Sequence, residues 1–354
     1  MTIQAPRIAQ AILAGLACAI TLAQATATAA AELVTVKVGT PSVASDAPLY
    51  VAADKGYFAR EGISVAFVSF ASAAFMIAPL GRDEIDVGAG GLSAGLFNAV
   101  ERGIHIKAVA DKVTLPPGSH YLDFVVRQDL IDSGRFKTEK DMKGLRIAEA
   151  GLETSTSYAL AMTAKAGGLG YSDFTHPSLG FADHLVSLQN RSIDGSVTAE
   201  PTLTKIVEEG IGKIVVPLAK AVPNLQIAVL LYSEKFAANK DLAQRFMNAY
   251  LEGARYYIGA VKHGRLDGPN ASAVIAILTK YTHLKDPQLY RHISASEINA
   301  DGRMNINDMR DMLRFFQSSG FVKNDVRVNE LVDTSFVNAA VKKLGAYKPL
   351  GARP

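Results

Sequence analysis

The chain has 354 residues, is 49% hydrophobic, and carries 37 Lys and Arg against 34 Asp and Glu with one cysteine and no tryptophan. This near balance, with no Lys/Arg block, excludes a nucleic-acid footprint, and the length and apolar content suffice for two separate cores. A lone cysteine offers neither a disulfide framework nor a cysteine metal set.

Residues 1–31 read as a secretory signal peptide: Arg7, an apolar run from Ile8 to Leu22, then "ATATAAAEL". The run is short for a membrane span and is followed by small-residue cleavage sites, so the mature chain is expected to begin near Glu32 and to be exported to the periplasm. Cys18 reads as an apolar filler of this segment, since "GLAC" lacks the leucine expected three residues before a lipidated cysteine.

"LVTVKVG" alternates as a strand and "ISVAFVSF" as a second, with the helix of "SDAPLYVAADKG" between them. Asp46 and Pro48 are expected to open that helix and Gly56 to end it, while Tyr57 and Phe58 anchor it. The three form a βαβ unit, which implies a parallel sheet. Helix "AAFMIAPLGR", strand "IDVGAG", helix "SAGLFNAVERG" and strand "IHIKAVAD" repeat the scheme.

After "TLPPGSH" a second alternating set begins with "YLDFVVR", "LRIAEA" and "SYALAMTAKAG", and it continues through "FADHLVSLQNR", "SIDGSVTAE", "TLTKIVEEG" and "KIVVPL". "LQIAVLLYS" reads as a strand returning to the first lobe, and the remainder is mostly helical. The fold class is therefore α/β with two lobes, parallel-dominated mixed sheets and a hinge between them. Residues 32–122 and 231–354 are assigned to the first lobe and 123–230 to the second, with crossings near 112–124 and 222–232. "LGRDEIDVGAG" and "LQNRSIDGSVTAE" share Leu followed five residues later by Ile-Asp, a short correspondence between the lobes.

Small and polar residues follow the strands at "TPSVASD", "FASAA", "GAGGLS", "EAGLETSTS" and "SVTAEP", where ligands of open α/β sheets collect. Gly90 and Gly91 allow close backbone approach, and Ser93, Thr154, Ser155 and Thr198 offer hydroxyls. Each alone also reads as a helix cap; as a set around one cleft they point to binding.

Sharper chemistries are disfavoured. "EINADGRMNIND" imitates a calcium loop but has Glu297 first and Asp308 last, so a turn in which Asn305 or Asn307 starts a helix is expected. The seven histidines lack the i, i+4 pairing of a helix zinc site and read as surface or interlobe residues. "GAGGLSAG" is neither a dinucleotide nor a phosphate loop, and no G-x-S-x-G elbow occurs. Tyr256-Tyr257 and Phe315-Phe316 each put one ring inward. No metal and no cofactor are expected.

"APLYVAADKGYFAREGISVAFV", "DMKGLRIA", "SLQNRSIDGSVTAEP", "YSEKFAANKDLAQRFMNAYLEGARYY" and "VNELVDTSFVNAAVKKLG" resemble, in order, the landmarks of periplasmic substrate-binding proteins of the nitrate/sulfonate/taurine type. These are related to the thiamine-precursor binding group and feed ABC importers. The resemblance implies a non-enzymatic monomer that traps a small-molecule solute between two lobes and presents it to permease subunits.

By position, the family's pocket maps to Ser42, Ser45 and Asp46, to Phe70 and Ser72, and to Gly91 and Ser93. In the second lobe it maps to Glu153, Thr154 and Ser155, then Thr198 and Glu200, with Lys112 near the hinge as a source of positive charge or an exposed lysine. No arginine lies in these loops, so an anion would rest on backbone N–H groups and helix dipoles. Asp46, Glu153 and Glu200 instead favour an amine or ring N–H donor such as an aminosulfonate or pyrimidine, and Phe70 offers a ring face. Sulfonates, aminosulfonates and aromatic carboxylates are the leading solute classes. An enzyme on the same scaffold and a sensor partner for a kinase are the rival readings, and the exported leader opposes the first.

Overall fold

The computed structural model describes residues 32–323 and 325–348. Residues 1–31, expected to be the signal peptide and including Cys18, lie outside the described residues. Strands are numbered in chain order, and helices only where they reach seven residues.

β1 (Val34–Thr40) and β2 (Ile63–Ser69) pair in parallel along their whole length, Val34 opposite Ile63 through Thr40 opposite Ser69, joined by α1 (Ala47–Asp54). Gly56, at φ 73°, breaks the chain after α1, a conformation that costs glycine little. β3 (Val87–Gly91) pairs in parallel with β1 and leads through α2 (Ala94–Glu101) to β4 (Lys107–Leu115).

The second lobe holds β5 (Leu122–Arg127), β6 (Ile147–Ala148), α3 (Ser155–Ala166), α4 (Phe181–Gln189), β7 (Gly195–Ala199), α5 (Thr202–Glu208) and β8 (Gly212–Pro217), with sheet order β6-β7-β5-β8. β9 (Leu225–Tyr232) then enters the first sheet, giving the order β2-β1-β3-β9-β4. β9 is antiparallel to both β3 and β4, and β5 is antiparallel to both β7 and β8. Each sheet is thus parallel in direction except for one strand, and both reversed strands lie beside the crossings between lobes.

The ladder from Lys107 opposite Tyr232 to Leu115 opposite Leu225 places β9 in the first sheet, as expected of "LQIAVLLYS", so residues 225–230 fall on the first-lobe side of the boundary drawn at 230. Leu122 conversely belongs to the second sheet. The crossings run side by side, with Asn224 N donating to Leu115 O at 2.8 Å.

Eight consecutive residues of β9 are buried, as expected for a strand covered on both faces. One cover is α6 (Lys240–Ile258), whose buried Leu242, Phe246, Tyr250, Ala254 and Tyr257 recur at helical spacing. Phe58 anchors the opening segment as expected, its ring 4.7 Å from that of Phe246, whereas Tyr57 is half-buried beneath the Arg60 guanidinium. α6 crosses α1 so closely that a Cβ on Gly253 would lie 2.2 Å from Pro48 O, which explains glycine inside a long helix. α7 (Ala271–Tyr281), α8 (Ile306–Ser318) and α9 (Ser335–Leu344) complete the chain. Tyr257 and Phe316 point inward while Tyr256 and Phe315 are partly covered, as the pairing rule required.

The calcium-loop imitation is a turn. Asn305 caps α8 by accepting the Asp308 N–H at 3.3 Å, while Asp308 accepts the Gln226 N–H at 2.7 Å and ties the turn to β9. Asp46 stands at the N-cap position of α1, but its side chain makes no cap bond to the helix; a short 3-10 turn (Ala44–Asp46) precedes it, and Asp46 Oδ2 accepts the Val43 N–H at 2.9 Å instead. Pro48 occupies the first turn of α1.

His184 departs from the expected surface or interlobe position, because it sits on α4 facing the second core and is fully buried. Its Nε2–H donates to Leu179 O at 3.0 Å, and burial depresses its pKa to about 4. A depressed histidine contributes stability that is intact above pH 6.5 and lost as pH falls through 4. His184→Gln is therefore expected to flatten the pH dependence across that window by up to about 3 kcal/mol, read as urea unfolding at pH 7 and pH 4.5. Identical pH slopes in the two proteins would refute this assignment.

Candidate functional site

A cavity of about 60 Å³ lies between the lobes, lined from the first by Val43, Ser45, Ser72, Ala73, Gly91, Lys112 and Ile227 and from the second by Leu122, Gly151, Thr154, Ser155, Thr156 and Phe181. Tyr121, from the crossing segment, closes one side. At ~10–15 Å³ per water centre the space holds about four to six water-sized groups, the scale of a compact solute.

The floor is polar. Lys112 projects from β4 and is 1% exposed, yet it lines the cavity. Its Nζ donates to Ser45 Oγ at 2.8 Å and lies 2.8 Å from Asp46 Oδ1. Tyr121 donates its O–H to Ser45 Oγ at 2.9 Å. The ammonium thus meets Ser45 through a hydrogen bond and Asp46 through its charge at the edge of the cavity. Asp46 is fully buried, and that burial pushes its carboxyl above the ordinary range, opposed by Lys112 and by the N–H of Val43. Burial also raises the phenols of Tyr50 and Tyr121.

The opposite wall is the N-terminal turn of α3, where Thr154, Ser155 and Thr156 meet the cavity. The Thr154 N–H is already given to Ser157 Oγ, so it is the positive end of the helix dipole that makes this turn a partner for negative charge. Ser72 Oγ on the facing lobe is buried without a hydrogen-bond partner.

The lobes are fastened beside this wall. Ala94 N donates to Glu153 O at 2.8 Å and Ser155 N to Leu92 O at 2.9 Å, so Ser93 and Thr154 form an antiparallel bridge across the cleft. Ser155 Oγ donates to Ile227 O at 2.8 Å, and Ala44 N donates to Glu200 O at 3.3 Å.

Of the residues expected in the pocket, Ser45, Ser72, Gly91, Lys112, Thr154 and Ser155 line one cavity. The others lie elsewhere for identifiable reasons. Asp46 stands behind Ser45, spent on Lys112 and Val43. Ser42 Oγ shares a 3.1 Å hydrogen bond with Ser69 Oγ, and Phe70 packs over Gly39 of β1. Ser93 caps α2 by accepting the Leu96 N–H at 3.1 Å, and Thr198 is sealed within β7. Glu153 contributes its main-chain carbonyl to the bridge.

Glu200 accepts from Thr204 N at 2.9 Å, Thr204 Oγ1 at 2.8 Å and Ser294 N at 3.0 Å, while burial raises it to about 7. The three carboxylates that favoured an amine solute thus lie outside the lining. Gly90 and Gly91 serve packing: a Cβ on Gly90 would fall 2.3 Å from Ala73 Cβ, and one on Gly91 3.0 Å from Ser155 Oγ.

Tyr121 and Phe181 escaped the sequence reading. Tyr121 stands in the crossing "SHYLDF" and Phe181 opens α4 after "PSLG", both signalled only by an aromatic ring at a junction. Among the described residues no group of three or more His, Cys, Asp or Glu is placed to hold a metal ion, and no helix is long and apolar enough to cross a membrane.

Residues 44–260 match the model of the family described as NMT1/THI5 like. No curated protein matches the chain. Among solved structures, the periplasmic nitrate-binding protein NrtA from Synechocystis PCC 6803 is 13% identical with a TM-score of 0.71, covering 89% of this chain and 90% of its own. The ligand-binding component of an ABC-type import system from Staphylococcus aureus, with zinc bound, is 14% identical with a TM-score of 0.71 over 87% of this chain and 99% of its own. The alkanesulfonate-binding protein SsuA from Xanthomonas axonopodis pv. citri, bound to MOPS, is 17% identical with a TM-score of 0.67 over 86% and 100%. At these identities the likeness is one of fold, the two-lobe fold of periplasmic binding proteins.

Proposed function

This chain belongs to the NMT1/THI5-like family, and from that premise we propose that it is the extracytoplasmic solute-binding component of an ABC importer, closing its lobes over a compact sulfonate-class anion for delivery to the permease. The observation that carries the reading is Lys112, the one charged side chain of the cavity lining, set opposite the N-terminal turn of α3. Charge and dipole face the same small space from different lobes. An anion seated there touches both, so it favours the closed arrangement over the open one, which is the differential contact that capture requires. The apolar remainder, Val43, Leu122, Phe181 and Ile227, suits a short hydrocarbon portion. The leader expected at residues 1–31 supports a carrier over an enzyme.

The ring of Phe181 favours one second reading, an aromatic solute such as the pyrimidine of the thiamine-precursor group. Thermal-shift and calorimetric screening of the protein purified after export, against alkanesulfonates, taurine, nitrate, aromatic carboxylates and pyrimidines, separates the two. A sulfonate is expected to raise the melting temperature with the logarithm of its concentration over Kd. Stabilisation by a pyrimidine alone would transfer the assignment to the second reading, and turnover of any bound compound would sink both.

A further inference from the structure

Anion capture at Lys112 creates a charge problem that the site itself answers. The ammonium already faces Asp46 Oδ1 at 2.8 Å, with Asp46 fully buried and Lys112 almost so. No second cation lines the cavity among the described residues. An anionic head beside Lys112 therefore sets two negative charges around one positive charge away from water, an arrangement that is strongly disfavoured unless one charge is neutralised.

The other titratable groups facing Asp46 are phenols: Tyr50 on α1, Tyr121 in the crossing segment and Tyr250 on α6. Burial raises all three, so they stay neutral and supply no positive charge. The dipole of α3 lies across the cleft and acts on the solute, not on Asp46.

Resting on the solute reading above, we propose that Asp46 takes up one proton as the anion binds, so that capture transfers Lys112 from the Asp46 carboxylate to the head group of the solute. The proton comes from bulk water or buffer, an O–H bond forms on the Asp46 carboxyl, Lys112 keeps its three hydrogens, and no other bond changes. The structure is poised for this. Burial already holds the Asp46 carboxyl above the ordinary carboxylate range in the ion pair, and Oδ2 keeps the Val43 N–H in either state.

The sign of the linkage follows. The Asp46 pKa is higher in the complex than in the free protein, so affinity is greatest and flat below the free-protein pKa. It falls by about tenfold per pH unit between the two values and is flat again above the complex pKa. Anions differ here from a neutral solute, whose binding leaves Asp46 ionised and pH-independent.

The test is titration calorimetry of the exported protein with propane-1-sulfonate and with nitrate at one pH, in buffers of different ionisation enthalpy. Observed heats are expected to vary with buffer ionisation heat with a slope approaching one proton taken up per site. Asp46→Asn is expected to bind with no proton uptake and with affinity independent of pH. Uptake of zero in the parent protein overturns the proposal, as does uptake that persists in Asp46→Asn, while failure of both anions to bind removes the solute reading and the proposal with it. If the variant does not fold, infrared spectra of the parent protein decide. A protonated carboxylic C=O band appearing on addition of anion supports Asp46, and its absence overturns the assignment.

Discussion

Lys112→Met is expected to abolish anion capture and to lower stability by about 3–5 kcal/mol at neutral pH, because it strands the Asp46 carboxylate at 0% exposure without its partner. Lys112 Nζ also holds Ser45 Oγ, so the loss reaches the wall of the cavity. The pH dependence has a definite sign. Without Lys112 the Asp46 pKa rises further above its unfolded value, so the penalty is small in acid and grows as pH rises through that folded pKa.

The double variant Asp46→Asn with Lys112→Met removes both charges at similar volume and is expected to recover most of the stability but none of the binding. Urea unfolding at pH 5 and pH 8 measures the first effect and calorimetry the second. A single variant as stable as the parent would show that the pair is solvated and unimportant to the fold. Retained anion affinity would remove Lys112 from the site.

The secondary structure was legible because alternation and helical spacing repeat along the chain: "LVTVKVG", "ISVAFVSF" and "LQIAVLLYS" all became strands, and the amphipathic run of residues 240–258 became α6. The two-lobe plan followed from the alternation resuming after "TLPPGSH". Sheet membership at the crossings was less legible. Nothing in the local pattern of Leu122 says which sheet supplies its partner, and a ladder is a long-range fact.

The site divided in the same way. Residues whose main chain must lie at a strand end, such as Ser72, Gly91, Thr154 and Ser155, were placed by topology alone. Side-chain allegiance was not: Asp46 and Glu200 look like pocket carboxylates in sequence, and only their partners, Lys112 for one and Thr204 and Ser294 for the other, show that both are already occupied. Lys112 itself, an exposed residue in one reading, is buried because Asp46 on a different element compensates its charge.

Gly151→Val is expected to weaken solute affinity by ~100-fold or more while leaving unfolding of the protein within about 0.5 kcal/mol of the parent. The argument rests on where the clash falls. A Cβ at Gly151, on the second lobe, would lie 2.6 Å from Ser72 Oγ and 3.2 Å from Ser72 Cβ, both on the first. Within its own lobe the nearest atom would be Thr154 Cγ2 at an ordinary 3.4 Å. Opening the cleft relieves the contact without unfolding either core, so the substitution acts on the open-to-closed equilibrium. Apparent affinity falls with the fraction of closing-competent protein. Small-angle scattering with saturating solute should then report the larger radius of the open form. Because Gly151 also lines the cavity, Gly151→Ala combined with Ser72→Gly separates closure from lost volume. Recovery of affinity in that pair assigns the defect to the interlobe contact. Failure to recover would mean that the added methyl group occupies space the solute needs.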